Sequence, residues 1–216
     1  MQLATPLMKE QIEAAQKFWD EEKLTSQRVL KLKQAFPRPE DAVDLKIDAL
    51  DKDYFTNIET RTEVVSKRIA AWVVKTTTTG PDLVEELVRE IQPSTLERNY
   101  VFASKYINLF VDSSSPILDW YAEEMVNMHL GLIRWEGPKR YHIFHERLTT
   151  LHQIANLTCH ITEMDKYLWI AGQFWFAGDQ TSRWLKQRFE KFRNKPESDP
   201  PLAILLGIPI SKKKAS

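Results

Sequence analysis

Apolar residues recur at helical spacing along nearly the whole chain, and the period-two alternation of a half-buried strand is almost absent. Met8, Ile12, Ala15 and Trp19 share a face behind Thr5-Pro6, with Pro6 suited to a first helical position. Thr25 or Ser26 can cap a second helix through Val29, Leu30 and Leu32, which must stop before Pro37. Val43, Ile47 and Leu50 share a face over 40–50, and Val64, Val65, Ile69, Trp72 and Val73 predict a longer helix over 58–75. Pro81 opens a helix carrying Leu83, Val84, Leu87, Val88 and Ile91, and Pro93-Ser94 breaks it. The stretch 100–111 has the apolar density of a helix or a buried strand, and its neighbours favour a helix. Further helices are expected over 117–130, closed by Gly131, and from Pro138 to about Leu157. Thr162 and Asp165 have capping-box spacing ahead of an apolar helix through Trp169 and Trp175, and a basic amphipathic helix follows over 182–193. The fold class is all-α.

The length of 216 residues suits one helical domain, with approximate lobes at 1–99 and 100–194 and a C-terminal tail over 195–216. Seven Trp, ten Phe and six Tyr supply large core pieces, so no staple is required. Cys159 is the only cysteine, which excludes an intrachain disulfide and a four-cysteine metal site. No signal peptide or uncharged membrane-length stretch is read, so a cytoplasmic protein without membrane contact is expected. The formal net charge is zero, yet residues 181–216 carry nine Lys/Arg against three Asp/Glu. A local basic face can engage phosphates regardless of the whole-chain balance, because salt screens charges beyond about 8 Å.

The stretch that bears most on chemistry runs Phe102-Ala103-Ser104-Lys105-Tyr106-Ile107-Asn108-Leu109-Phe110, then through Pro116-Ile117-Leu118-Asp119-Trp120-Tyr121 to Leu130-Gly131-Leu132. It reads as a lysine at the start of one apolar helix and an acid at the start of the next, with a short turn between them. The two side chains would then converge on one cleft, and the helix N-terminus would keep Asp119 ionised.

This stretch resembles the core of the helix-hairpin-helix DNA glycosylases, with Lys105 at the family's lysine and Asp119 at its catalytic aspartate. Leu130-Gly131-Leu132 matches the end of the following helix, and the likeness covers about 30 residues. The surrounding helical sequence is similar to divergent bacterial proteins of the oxoguanine-glycosylase fold, among them phage-defence enzymes that remove modified bases. Phe102-Ala103-Ser104 stands where the family has a Gly-rich hairpin, and Trp120 where small polar residues usually follow the aspartate. The resemblance implies two helical lobes around a cleft, double-stranded DNA carrying modified bases as partner, and no cofactor. It implies cleavage of an N-glycosidic bond on a flipped nucleotide, with Asp119 stabilising charge on the sugar. Lys105 would assist, or attack the sugar carbon if burial kept its amine neutral.

Ser104, Trp120 and Tyr121 beside the pair are candidate substrate-binding residues, as are Tyr167 and Trp169, whose rings suit stacking on a base. Arg183, Lys186, Arg188, Lys191 and Arg193 are the candidate DNA-backbone contacts, and Lys212 to Lys214 form a basic end. His142, His145 and His152 are spaced for one helical face but form no zinc motif, and no metal site is assigned. The competing expectation is a non-catalytic helical nucleic-acid-binding or adaptor protein of a defence system, in which the basic helix carries function and Asp119 does not.

Overall fold

A computed structural model describes residues 2–54, 56, 62–91 and 96–209, with the side chains at 62, 96–98, 183 and 184 left aside. Among these residues the chain is all-helical, with no strand. The helices are α1 (Lys9–Glu21), α2 (Gln27–Ala35), α3 (Val43–Tyr54), α4 (Thr62–Lys75), α5 (Pro81–Glu90) and α6 (Leu96–Phe110). They continue with α7 (Trp120–Leu130), α8 (Arg140–Ile154), α9 (Met164–Phe176), α10 (Arg183–Asn194) and α11 (Pro200–Leu206). The expected helix start near Ile58 and the breaker Pro93-Ser94 lie outside the described residues, as do Lys212 to Lys214.

Two compact units are interleaved along the chain. The first comprises Met1–Leu24, Trp120–Arg134 and Arg147–Ser216, and the second Thr25–Asp119 and Trp135–Glu146. The expected lobes followed the halves of the chain, whereas these units exchange segments three times after residue 99.

In the second unit, Ser26 caps α2 by accepting the Val29 amide at 3.1 Å, one of the two caps expected from sequence. Gly80 takes a left-handed φ of 63° and places Pro81 at the first position of α5, where no amide needs a partner. Val43, Ile47, Leu50, Val65, Ile69, Leu83, Val84, Leu87, Phe102, Tyr106 and Ile107 are buried where α3 packs on α4 and α6, and α5 on α6. Each such side chain contributes about 1.5–3 kcal/mol by leaving water. Polar side chains tie down the loop before α3: buried Lys46 donates to the Arg38 carbonyl at 2.6 Å, and Tyr106 Oη to the Pro39 carbonyl at 2.8 Å.

In the first unit, α9 packs on α7 and α1, and α1 on α11. Gly172 permits the first of these contacts, since a Cβ there would lie 2.7 Å from both the Cβ and the carbonyl oxygen of Tyr121. Three expectations are corrected here. The helix behind Pro6 begins only at Lys9, because the Ala4 amide donates to the His129 carbonyl at 2.8 Å and the Thr5 carbonyl accepts from His129 Nδ1. The capping box before α9 is His160 with Glu163, not Thr162 with Asp165: His160 accepts the Thr162 amide, and the Glu163 carboxylate accepts the His160 amide at 3.1 Å. The stretch read as a tail contains α11, capped by Asp199 at the Leu202 amide, started by Pro200 and ended by Gly207 at a φ of 66°. Its Leu202, Ala203, Leu205 and Leu206 are buried.

Candidate functional site

The helix α6 begins well before the residues where its apolar run becomes dense, so Lys105 sits in mid-helix rather than at a helix start. The helix runs without a break through Phe102-Ala103-Ser104 to the lysine, so no turn stands at these three residues. The burial of Phe102, Ala103, Tyr106 and Ile107 explains this, because one apolar face continues through the segment. Asp119 does stand where expected, immediately before α7.

Between α6 and α7 the chain makes a turn at 112–115 and then runs irregularly to Asp119, held by side chains of the second unit. Asn108 Nδ2 donates to the Ser115 carbonyl at 2.7 Å, and Tyr141 Oη to the Pro116 carbonyl at 2.7 Å. Ser104 Oγ accepts the Leu118 amide at 3.1 Å and lies 3.2 Å from both the Leu118 and Val101 carbonyls. Backbone polar groups that leave regular structure inside a protein need such partners. Here the partners come from two helices and fix the backbone that carries Asp119.

Lys105 and Asp119 are each 8% exposed. Burial pushes the Lys105 pKa down, and the nearby Asp119 carboxylate opposes that shift. Lys105 Nζ donates to the Tyr54 carbonyl at 3.3 Å and lies 5.7 Å from the centre of the Tyr54 ring. Tyr54 is the last residue of α3, so the ammonium also meets the negative end of a helix dipole. The second unit thus holds a buried amine and a buried acid, the acid on a fastened segment. Such a pair can stabilise positive charge or supply a neutral nucleophile.

Ser104, Lys105 and Asp119 belong to the second unit, while the remaining candidates belong to the first. Trp120 is 37% exposed, with its ring edge-on to Tyr121 at 5.0 Å and to Phe176 at 6.1 Å. Tyr167 is not open to a base. It is buried, and its hydroxyl meets His129 Nε2 at 2.9 Å and Gln11 Nε2 at 3.4 Å. Trp169 is half-buried, with its ring 5.5 Å from that of Trp19.

The basic helix divides in a similar way. Arg188 lies over the Phe18 ring at 4.1 Å, makes a two-point contact with Asp199 and pairs with Glu22, so it braces the first unit. Arg193 donates to the Phe174 carbonyl at 2.7 Å and lies over the Phe174 ring. Lys186 and Lys191 are exposed, and the Arg183 side chain lies outside the described residues. Leu185, Phe189 and Phe192 supply the buried stripe.

His142 meets Asp82 at 2.9 Å, and His152 Nε2 meets the Cys159 carbonyl at 2.7 Å. Among the described residues no group of three or more His, Cys, Asp or Glu is arranged to hold a metal. None of their helices is long and apolar enough to cross a membrane.

Sequence reasoning passed over Asn108, Tyr141 and Tyr54. Asn108 lies one turn after Ser104, and two polar residues at i,i+4 on an apolar helix were the available signal. Nothing in the sequence connected Tyr54 or Tyr141 to the pair. The chain matches no family model, no curated protein and no solved structure.

Proposed function

We propose that this protein is a DNA glycosylase that flips a modified or damaged base out of double-stranded DNA and cleaves its N-glycosidic bond. The observation that carries this reading is the burial of both Lys105 and Asp119 in one unit, with the acid on a segment fastened by Ser104, Asn108 and Tyr141. As the C1′–N bond breaks, its electron pair leaves with the base and positive charge grows on the sugar. A fixed carboxylate stabilises that charge without having to reorganise. Water then adds its oxygen to C1′, and its proton neutralises the departing base. In the variant route, the Lys105 amine takes the place of water, and burial favours the neutral form that route needs.

The phage-defence likeness makes a modified cytosine in phage DNA the first substrate to try, and Trp120 the first base-stacking residue to test. The purified chain is incubated with plain and base-modified phage DNAs, abasic sites are labelled, and released bases are identified by mass spectrometry. Release of one modified base is the expected result, and borohydride trapping of a covalent adduct then separates the lysine route from the water route. No release from any DNA of the panel, together with binding that depends on Lys186 and Lys191, favours the non-catalytic binding protein instead.

A further inference from the structure

Glu85 lies half-buried on α5, the helix whose Leu83, Val84, Leu87 and Val88 join the core of the second unit. Its carboxylate offers two acceptor oxygens and no donor. Oε2 accepts the phenol of Tyr100, on α6, at 2.7 Å, and Oε1 accepts the amide of Tyr141, in the first turn of α8, at 3.1 Å. That amide has no acceptor within its own helix, and the positive end of the helix dipole favours a negative charge there. Burial, together with the Glu85 carboxylate, pushes the Tyr100 pKa up, so the phenol keeps its proton and stays a donor. The contacts continue from Tyr141, which is buried and donates its own hydroxyl to the Pro116 carbonyl at 2.7 Å. Pro116 stands three residues before Asp119, and Tyr100 five residues before Lys105 on the same helix. One carboxylate therefore links the helix that carries the lysine to the segment that carries the acid, by a route separate from Ser104 and Asn108. Asp82, one turn earlier on α5, touches α8 at His142 instead.

We propose that Glu85 is a positioning residue: acting through Tyr141, it holds the segment 116–119, and with it Asp119, in place relative to α6. The two bonds to the carboxylate set where Tyr141 begins α8, and the Tyr141 hydroxyl carries that setting to the Pro116 carbonyl. Glu85 touches no reacting atom. It acts on how well the acid is held before the reaction, which is what lets a fixed charge stabilise a transition state without reorganising. The consequence for catalysis rests on the glycosylase reading, whereas the restraint on the backbone does not.

Amide hydrogen exchange on the whole chain reads the restraint without any DNA. The probe is the Leu118 amide, which Ser104 accepts. Glu85→Ala should speed its exchange at least about tenfold, the size expected for losing hydrogen bonds to a charged group. The amides of Ile47 and Leu50, in the core of α3, should keep the parent rate. Asp82→Ala, which loses a contact to α8 but not the one to Tyr141, should leave Leu118 at the parent rate. In a Tyr141→Phe background, Glu85→Ala should add nothing at Leu118, because the link is already cut. Glu85→Gln keeps one acceptor oxygen and should give the same pattern at smaller size, which serves if Glu85→Ala folds poorly. An unchanged Leu118 rate overturns the proposal, as does an equal rise at Ile47 and Leu50, an equal effect of Asp82→Ala, or additivity with Tyr141→Phe. On a DNA from which the parent releases a base, Glu85→Ala should lower kcat at least about tenfold and leave KM within about twofold. An unchanged kcat overturns the consequence for catalysis, whereas no release by the parent counts against the glycosylase reading and leaves the exchange result to decide the restraint.

Discussion

The hydroxyl of Ser104, in the middle of α6, accepts the amide of Leu118, the residue immediately before Asp119. A single buried oxygen thereby couples the helix that carries Lys105 to the backbone that carries the acid. Ser104→Ala leaves the buried Leu118 amide without that acceptor, at a cost of about 1–3 kcal/mol. Urea unfolding measures the loss. If the hydroxyl matters only for stability, base release per folded molecule will stay unchanged; if it positions Asp119, release will fall as well.

His129 provides a pH signature in the first unit. Its Nδ1 faces the Thr5 carbonyl, which can only accept, so Nδ1 carries the proton and Nε2 accepts from the Tyr167 hydroxyl. Burial pushes the His129 pKa down, so the folded state favours the neutral ring. The unfolded chain therefore binds the proton first as pH falls. This contribution is complete above about pH 6.5 and is lost from there downward, toward the lower folded value. Urea midpoints measured between pH 8 and pH 5 should fall with pH. In His129→Gln, which cannot titrate, this part of the slope should vanish; an unchanged slope would assign it to other groups.

Gly172→Ala tests the closest helix contact in the first unit. The added methyl would meet the backbone and Cβ of Tyr121 at 2.7 Å, and neither can swing aside as a flexible side-chain end can. A loss of about 1–3 kcal/mol is expected from overpacking. A melting temperature equal to that of the parent would mean α7 and α9 can separate freely.

The basic helix α10 should split by residue. Arg188→Ala strands the Asp199 and Glu22 carboxylates and should cost about 1–3 kcal/mol of stability. Lys186→Ala and Lys191→Ala, both at exposed positions, should leave stability within about 0.5 kcal/mol. If these lysines touch DNA phosphates, each will lower the salt dependence of DNA affinity by about one unit of slope. Equal salt slopes for parent and lysine variants would remove α10 from the DNA-binding surface.

The helices were legible wherever an apolar stripe coincided with a cap or a breaker, as at Ser26, at Pro81 and at the Gly131 stop. Asp199-Pro200-Pro201 and Gly207 bracket α11, but paired prolines before a lysine-rich end fit a broken tail equally well, and only the tertiary burial of Leu202, Ala203, Leu205 and Leu206 decides for a helix. The expectation of Lys105 at a helix start rests on where the apolar run becomes dense, whereas α6 extends past that point toward the N-terminus. A helix start is expected near Ile117 because Pro116 halts regular structure, but α7 begins at Trp120, so Asp119 lies just outside it on the irregular segment. The clamp around 115–119 was not legible, because a hydrogen bond from Tyr141 to the Pro116 carbonyl leaves no pattern in local sequence.

The central claim is that the Asp119 carboxylate stabilises the breaking glycosidic bond, and Asp119→Asn tests it with little change of shape. Base release should be measured for parent and variant on one verified modified DNA, with melting curves confirming that both are folded. The account predicts that release by the variant falls about 10²–10³-fold, as expected for loss of one electrostatic stabiliser. Release at the parent rate by folded Asp119→Asn protein would contradict it.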